Sequence, residues 1–204
     1  MNYRISLFIL LLKIPEELLM PPKPWKVISS KMDKSFRIFN LRTDRALSPR
    51  TNKAYDFYVL ESSDWINVIP LTRQKEVILI RQYRHGIRKV TLEIPGGLVE
   101  GKDSPEETAR RELREETGYT DSEMILLGSV HANPAFLNNR CYTFLARDVF
   151  PIGTQEQDER EDIEVVIRPV EEIPRLIREG EITHSLVLAA FYWFYMENQT
   201  SNPF

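Results

Sequence analysis

The sequence contains few of the residues that build covalent cross-links or histidine metal centres. Of its 204 residues, one is a cysteine, Cys141, and three are histidines, His85, His131 and His184. A single cysteine excludes an internal disulfide and a thiolate zinc cluster, and it suits a reducing compartment. The histidines are scattered without helical pairing, which disfavours a histidine metal site. We therefore expect a cytoplasmic protein.

An excess of positive charge is also lacking. The chain carries 27 lysines and arginines against 30 aspartates and glutamates, a net charge of −3. Binding to a nucleic-acid backbone normally requires a basic surface, so we expect no nucleic-acid partner. Any anionic ligand must be bound by a local site.

No segment is both long and apolar enough to span a membrane. Residues 5–12 (ISLFILLL) are too few, and no small-residue cleavage site follows them, so a secretion signal is disfavoured. We expect either an apolar extension or initiation at Met20. Residues 186–196 (LVLAAFYWFYM) are typical of a buried core helix. We expect no membrane partner.

Short β-branched or alternating runs are interleaved with a few helical segments, without a regular βαβ repeat. This pattern favours an α/β (α+β) fold in which a mixed β-sheet lies between helices, with a β-rich N-terminal extension. We divide the chain into an extension (1–24), an N-terminal strand segment (25–55) and one main domain (56–198).

A helix with clear start and stop signals follows a glycine pair. Ser104 is an N-cap candidate, Pro105 takes the first helical position, and Glu107 completes a capping box. Gly118 is placed to end the helix as the residue after its C-cap. These limits fix the helical register, so the directions of the side chains can be predicted.

In that register, Glu112, Glu115 and Glu116 share one sector at the margin of the apolar face, and Arg111 is spaced to pair with Glu115. Clustered carboxylates become favourable when a hard cation such as Mg²⁺ lies among them. The alternative is a solvated acidic face. The preceding glycine pair, residues 96 and 97, favours the first interpretation because glycine permits a close approach of the backbone.

The chain resembles the Nudix family, whose box is G-x5-E-x7-R-E-U-x-E-E-x-G-U, with U a bulky apolar residue. One position departs from it, Asp103, where the family has glutamate. The resemblance spans about residues 56–195 and includes LEIPGG, RQYR and EDIEV, which are similar to the nucleoside-diphosphate-sugar (ADP-ribose pyrophosphatase-like) branch. The matching box residues are Gly97, Arg111, Glu112, Leu113, Glu115, Glu116, Gly118 and Tyr119.

The resemblance implies a Nudix fold that binds Mg²⁺ or Mn²⁺ on the box helix. Glu112 and Glu116 would be the chief metal ligands, Glu115 a further or water-mediated ligand, and Gly96 a backbone-carbonyl ligand. Arg111 would orient the carboxylates by charge-assisted hydrogen bonds. The resemblance also implies a homodimer formed through N-terminal strands.

Residues outside the box are assigned by the same resemblance. The general base would come from the acidic loop at residues 155–162, as Glu159 or Glu161, with Glu159 slightly favoured. Substrate binding would involve Arg81, Arg84, Glu93 and Pro134, although either arginine is also consistent with a surface charge and Glu93 with a simple ion pair. Trp25 and Phe36 are candidates to stack on a base, with packing the favoured interpretation of both.

The leading hypothesis is an enzyme that hydrolyses the diphosphate of a nucleoside diphosphate sugar, first of all ADP-ribose to AMP and ribose 5-phosphate. A second hypothesis is an enzyme for nucleoside triphosphates or dinucleotide polyphosphates, which the position of Pro134 disfavours. A third is a catalytically silent nucleotide-binding module. The intact box glutamates argue against this third hypothesis, and Asp103 alone argues for it.

Overall fold

The computed structural model describes residues 21–157 and 159–200. The expectations for residues 5–12 and Met20 lie outside these ranges. The described chain forms twelve strands: β1 (Lys26–Ser35), β2 (Asn40–Leu47), β3 (Ala54–Glu61), β4 (Trp65–Leu71), β5 (Glu76–Arg84), β6 (Lys89–Glu93), β7 (Gly96–Leu98), β8 (Tyr119–Thr120), β9 (Glu123–His131), β10 (Arg140–Arg147), β11 (Phe150–Pro151) and β12 (Glu164–Pro169). Its α-helices are α1 (Pro105–Thr117), α2 (Ile173–Arg178) and α3 (Ser185–Thr200), and a 3-10 turn (Val170–Glu172) precedes α2.

The chain divides into two compact units. Of the described residues, one unit comprises residues 21–31 and Thr43–Phe57, and the other comprises Met32–Arg42 and the described residues from Tyr58 onwards. The strands β1, β2 and β3 pair in that order in a three-stranded sheet. All ten residues of β1 are exposed. In the first unit, Trp25 packs edge-on against Tyr55 and Phe57.

The second unit is built on a seven-stranded mixed sheet. Its main path is β12-β5-β4-β10-β9, with β6 paired to β5 and β7 paired to β4. Strand β10 runs parallel to β4 and antiparallel to β9. The sheet is therefore mixed, as the absence of a regular βαβ repeat predicted.

Successive side chains of a strand point to opposite faces of the sheet, and helices cover both faces. On one face, residues such as Val68 and Phe144 pack against Ala109 and Leu113 of α1. On the other face, Ile69 and its neighbours pack against α2 and α3. This arrangement of helix, sheet and helix confirms the predicted fold.

Helix α3 is apolar over most of its surface. Val187, Ala190 and Phe191 are buried in the core, whereas Tyr192 and Met196 are exposed. The segment is thus the core helix that its composition predicted, with one exposed edge. Among residues 21–157 and 159–200, no helix has the length and apolar character needed to cross a membrane.

Candidate active site

Helix α1 begins and ends at the predicted residues. Ser104 accepts a hydrogen bond from the Glu107 backbone N–H, and the Glu107 carboxylate accepts one from Ser104, which completes the capping box. Pro105 occupies the first turn. Gly118 ends the helix in the left-handed region at φ 74°, and its N–H donates to the Arg114 carbonyl. The register of the box glutamates is therefore the predicted one.

The glycine pair lies directly against the glutamates of α1. The Gly96 N–H donates to Glu116 Oε2 over 2.9 Å. A Cβ at Gly97 would overlap the Glu112 carboxylate, and one at Gly96 would lie 2.6 Å from the Ile66 carbonyl oxygen. At Gly96 the close atom belongs to the backbone of strand β4, so only glycine fits there, whereas a side chain at Gly97 would displace the Glu112 carboxylate.

Arg111 bridges two of the acidic side chains. Its Nη1 donates to Glu115 Oε2 over 2.8 Å, and its Nη2 lies 2.9 Å from Glu112 Oε1. Its Nε is 3.9 Å from Asp103, the residue that replaces the box glutamate. The shorter aspartate still reaches the same guanidinium group. Arg111 is therefore in contact with three acidic side chains, and its role in orienting them for a cation stays a prediction.

The acidic loop is fastened to the C-terminal end of α1. The Gln155 amide donates to the Glu116 carbonyl over 2.6 Å, and the Glu156 N–H donates to the Glu115 carbonyl over 2.9 Å. Gln155 and Gln157 also both donate to the Ile163 carbonyl. These bonds satisfy carbonyls left unpaired at a helix end. They also bring the loop to the box glutamates.

Burial raises the pKa of Glu116 to about 8, and the charges of Glu112 and Glu161 add to this increase. The Gly96 N–H and the charge of Arg84 act in the opposite direction. Burial likewise raises the pKa of Glu112 to about 6, opposed by Arg111 and increased by Glu115 and Glu161. The negative charge of Glu161 therefore acts on both box residues.

These residues fit a divalent cation in their chemistry. Mg²⁺ prefers oxygen ligands, and buried carboxylates with a raised pKa gain most when a cation compensates their charge. Among the residues that the structure describes, no three acidic, histidine or cysteine side chains already converge as a ligand cluster. In this structure Glu112 and Glu115 are bonded to Arg111, and Glu116 is bonded to the Gly96 N–H.

A third buried carboxylate, Glu93, is hydrogen-bonded to an arginine and to a hydroxyl group. Arg84 donates to it through Nε at 2.8 Å and Nη2 at 2.6 Å, and the Thr91 hydroxyl donates at 2.6 Å. Burial alone would raise the pKa of Glu93, but these bonds outweigh it and the pKa is lowered. The arginine fork is thus directed at Glu93, the ion-pair alternative of the sequence analysis.

The other predicted binding residues have local partners of their own. Arg81 pairs with Glu164 of the neighbouring strand over 3.2 Å. Pro134 is exposed in a turn after β9 that is closed by hydrogen bonds to the Asn133 carbonyl. Phe36 packs against Phe39 at 4.8 Å between ring centroids. The substrate roles of these residues and of Trp25 stay predictions.

An open cleft of about 230 Å³ is lined in part by the glycine pair. Its polar lining residues include Asn67 and His184, which the sequence analysis did not single out because neither belongs to a periodic or motif pattern. Cys141 also lines it, but burial raises the pKa of its thiol to about 12, so this cysteine is not a nucleophile. Further lining residues are Trp65, Arg84, Glu93, Ile94, Leu98 and Val187.

A capped helix with three carboxylates beside a glycine pair has the chemistry to hold a divalent cation and, through it, a phosphate group. The NUDIX domain model matches residues 65–191, well over half of the chain. The chain therefore belongs to the NUDIX domain family and is a pyrophosphohydrolase of that family. The resemblance inferred from the box is confirmed.

Individual relatives agree with this assignment. The chain is 28% identical over 158 residues to the ADP-ribose pyrophosphatase of Bacillus subtilis (strain 168), covering 77% of this chain and 85% of that protein. It is 27% identical over 178 residues to the methanol dehydrogenase activator of Bacillus methanolicus, covering 84% and 93%. The fold resembles the crystal structure of an ADP compounds hydrolase with a TM-score of 0.78 and 18% identity, covering 91% of this chain and all of that one (100%).

Proposed function

We propose that this protein is a Mg²⁺-dependent enzyme that hydrolyses the diphosphate of a nucleoside diphosphate sugar, with ADP-ribose as the first candidate and AMP and ribose 5-phosphate as products. The main support is the pair of buried carboxylates, Glu112 and Glu116, whose raised pKa values show that their charges lack full compensation within the protein. The ADP-ribose pyrophosphatase among the relatives supports the choice of substrate.

Glu112 and Glu116 would hold the cation, with Glu115 and the Gly96 carbonyl as further ligands. A divalent cation bound there supplies positive charge to the diphosphate oxygens. Mn²⁺ offers the same charge and accepts the same oxygen ligands. Arg111 then keeps Glu115 oriented as the other carboxylates turn towards the cation.

We assign the general base to Glu161. The negative charge of Glu161 contributes to the raised pKa values of Glu112 and Glu116. Its loop is bonded to the end of α1 through Gln155, and Gln157 donates to the Ile163 carbonyl within the same segment. In this assignment the Glu161 carboxylate accepts a proton from the attacking water. The water oxygen forms a bond to one phosphorus while the bond from that phosphorus to the bridging oxygen breaks. The second phosphate leaves with the bonding electrons.

Two variants of the same loop test this assignment. Glu161→Gln is expected to lower kcat by about 10²-fold or more, the scale of a lost general base, while Glu159→Gln lowers it less than about twofold. Both are single amide replacements within the same acidic loop, so they match in size and charge. The reverse result would transfer the role to Glu159, and normal turnover by both would place the base elsewhere.

A panel of substrates tests the proposed reaction. The protein with Mg²⁺ is incubated with ADP-ribose, other nucleoside diphosphate sugars, nucleoside triphosphates and dinucleotide polyphosphates, and the products are identified by chromatography. We expect AMP and ribose 5-phosphate from ADP-ribose at the highest kcat/KM. Faster turnover of triphosphates would favour the second hypothesis, and no turnover of any compound would favour the silent binding module.

We also propose a homodimer formed through the N-terminal strands. The support is the number of large apolar side chains exposed in the first unit, namely Trp25, Val27, Ile28, Tyr55 and Phe57. Burial of such side chains against a second copy is favourable.

Light scattering after size exclusion should give twice the 24.0 kDa of one chain. Ile28→Asp should shift the mass to one chain, whereas Leu126→Asp on β9 should not. A wild-type monomer would contradict the proposal.

We also propose that the protein is cytoplasmic. The support is its single cysteine, which is free and suits a reducing compartment. Fractionation of cells expressing the tagged protein would test it.

A further inference from the structure

His184 lines the cleft and lies immediately before α3. The Leu186 N–H donates to its Nδ1 over 3.2 Å, and the Leu188 N–H donates to its carbonyl oxygen over 3.0 Å. Since Nδ1 accepts a hydrogen bond, the neutral ring carries its proton on Nε2. The imidazole therefore has a defined donor atom.

The position of this imidazole is fixed from both sides. Ile182, two residues earlier, is buried in the core. The amide of Asn67, a side chain only 6% exposed on β4, donates to the Leu186 carbonyl over 3.1 Å. Leu186 is thus bonded through its N–H to His184 and through its carbonyl to Asn67. This fastens the first turn of α3 to the central sheet and leaves the ring little freedom.

Two charges of opposite sign act on His184. Glu93 and Arg84, both in the lining of the cleft, act on it with opposite signs. Burial lowers the pKa of His184, an effect opposed by Glu93 and reinforced by Arg84, so the ring is neutral at pH 7. A neutral donor beside a compensated ion pair suits an uncharged hydroxylated group better than a phosphate.

Most of the remaining lining of the cleft is apolar. Ile94, Leu98 and Val187 line it together with the Trp65 ring. A sugar ring presents apolar faces and polar edges, and a mostly apolar cleft with few fixed polar groups is the usual form of a site for such a ligand. Gly96 and Gly97 also line the cleft, and the Gly96 N–H is bonded to Glu116, one of the carboxylates that would hold the diphosphate through a cation.

We infer that His184 is a specificity-determining residue whose Nε2–H donates a hydrogen bond to an oxygen of the sugar attached to the diphosphate. The inference rests on the proposed function, because it names the part of that substrate which His184 contacts. Asn67 acts as a positioning residue through Leu186.

Two replacements separate the two nitrogens of His184. His184→Asn retains an acceptor near the position of Nδ1 and removes the donor at Nε2, whereas His184→Gln places an amide donor near the position of Nε2. Each variant is assayed with ADP-ribose and with the methyl ester of ADP, in which a methyl group replaces the sugar. Thermal unfolding of each variant verifies that it folds.

With ADP-ribose, His184→Asn is expected to raise KM about five- to tenfold, the scale of one neutral hydrogen bond, with kcat changed less than about twofold. With the methyl ester its KM should equal that of the wild type. His184→Gln should recover most of the affinity for ADP-ribose. Loss confined to the sugar substrate is an effect that a purely structural role would not produce.

An unchanged KM of His184→Asn for ADP-ribose would overturn the inference. Equal increases in KM for both substrates would also overturn it, since they would place the contact on the diphosphate or reveal a general loss of structure. In both cases an active wild type leaves the proposed function intact. A wild type that hydrolyses neither compound would overturn the proposed function and this inference with it.

Discussion

Two glutamates have nearly equal exposure in this protein, but their surroundings shift their pKa values in opposite directions. Glu93 is 2% exposed and Glu116 is 3% exposed. Glu93 receives two hydrogen bonds from Arg84 and one from Thr91, and its pKa is lowered. Glu116 receives one backbone N–H and lies near two further negative charges, so its pKa rises to about 8.

The comparison distinguishes a carboxylate that the fold has compensated from one that it has not. A buried charge is tolerated when it is paired and hydrogen-bonded, and it is costly otherwise. Glu93 therefore belongs to the framework of the cleft, whereas the ionised form of Glu116 lacks full compensation from the groups around it. The four predictions that follow address this difference.

The largest expected effect follows from neutralising the uncompensated carboxylate. Glu116→Gln should lower kcat by about 10³-fold, the scale of a lost electrostatic stabiliser of the transition state. Its free energy of unfolding at pH 7 should stay about equal, because a carboxyl with a pKa of about 8 is mostly protonated there and a neutral amide of similar shape replaces it. Steady-state kinetics and chemical denaturation measure the two quantities. Glu106→Gln, an exposed change on the same helix, is the control, and full activity of Glu116→Gln would contradict its assignment as a ligand.

Removing the partner of the compensated carboxylate should mainly affect stability. Arg84→Met leaves Glu93 buried without its cation, and we expect the free energy of unfolding to fall by about 2 kcal/mol. This is less than for a fully buried pair, because the Arg84 side chain is 42% exposed. Adding Glu93→Gln should recover part of the loss. Arg81→Met, which breaks an exposed pair with Glu164, should cost less than about 1 kcal/mol. Equal losses in the two arginine variants would contradict the comparison.

The two carboxylates should also respond to pH with opposite sign. The folded-state pKa of Glu116 is raised above its ordinary value of 4.5 to about 8, so its protonated form stabilises the metal-free fold at low pH. That stability is present below the unfolded-state value and is lost as pH rises through about 8. The lowered pKa of Glu93 contributes stability above about pH 4.5, which is lost in more acidic solution.

Mg²⁺ should therefore raise the unfolding temperature more at about pH 8 than at about pH 5.5, because protons compete with the cation for the carboxylates. Differential scanning fluorimetry with and without a chelator measures this, with Glu116→Gln as the control in which the difference shrinks. A Mg²⁺ effect that does not depend on pH would contradict the proposed ligand set.

The smallest expected effect comes from the hydroxyl beside Glu93. Thr91→Val removes one hydrogen bond to this buried carboxylate while preserving the shape of the side chain. We expect the free energy of unfolding to fall by about 1 kcal/mol, with kcat unchanged within about twofold. Denaturation and kinetics test this, and a large loss of kcat would show that Glu93 acts in the reaction as well as in the framework.

Much of the candidate site was predictable from local sequence. The capping box of Ser104 and Glu107 and the terminal Gly118 depend on neighbours within one turn, so the direction of Glu112 and Glu116 followed from spacing alone. The pairing of Arg111 with Glu115 is an i,i+4 contact and was predicted for the same reason. Neither prediction required knowledge of the rest of the fold.

Contacts between distant segments were not predictable in this way. The fork of Arg84 is directed at Glu93 because β5 and β6 form a hairpin in which these side chains meet, and sequence spacing alone left both a substrate role and an ion pair open. His184 belongs to no motif, and its place in the cleft depends on the packing of α3 against β4 through Asn67.

By itself the sequence determined the helix that carries three glutamates, the glycine pair before it and the family to which these belong, since each is a matter of local spacing. Only the tertiary structure decided which buried carboxylate is paired and which lacks full compensation of its charge. The physical reason is that compensation of a buried charge depends on groups brought from other strands and loops, and their distances are set by the packing of the whole sheet.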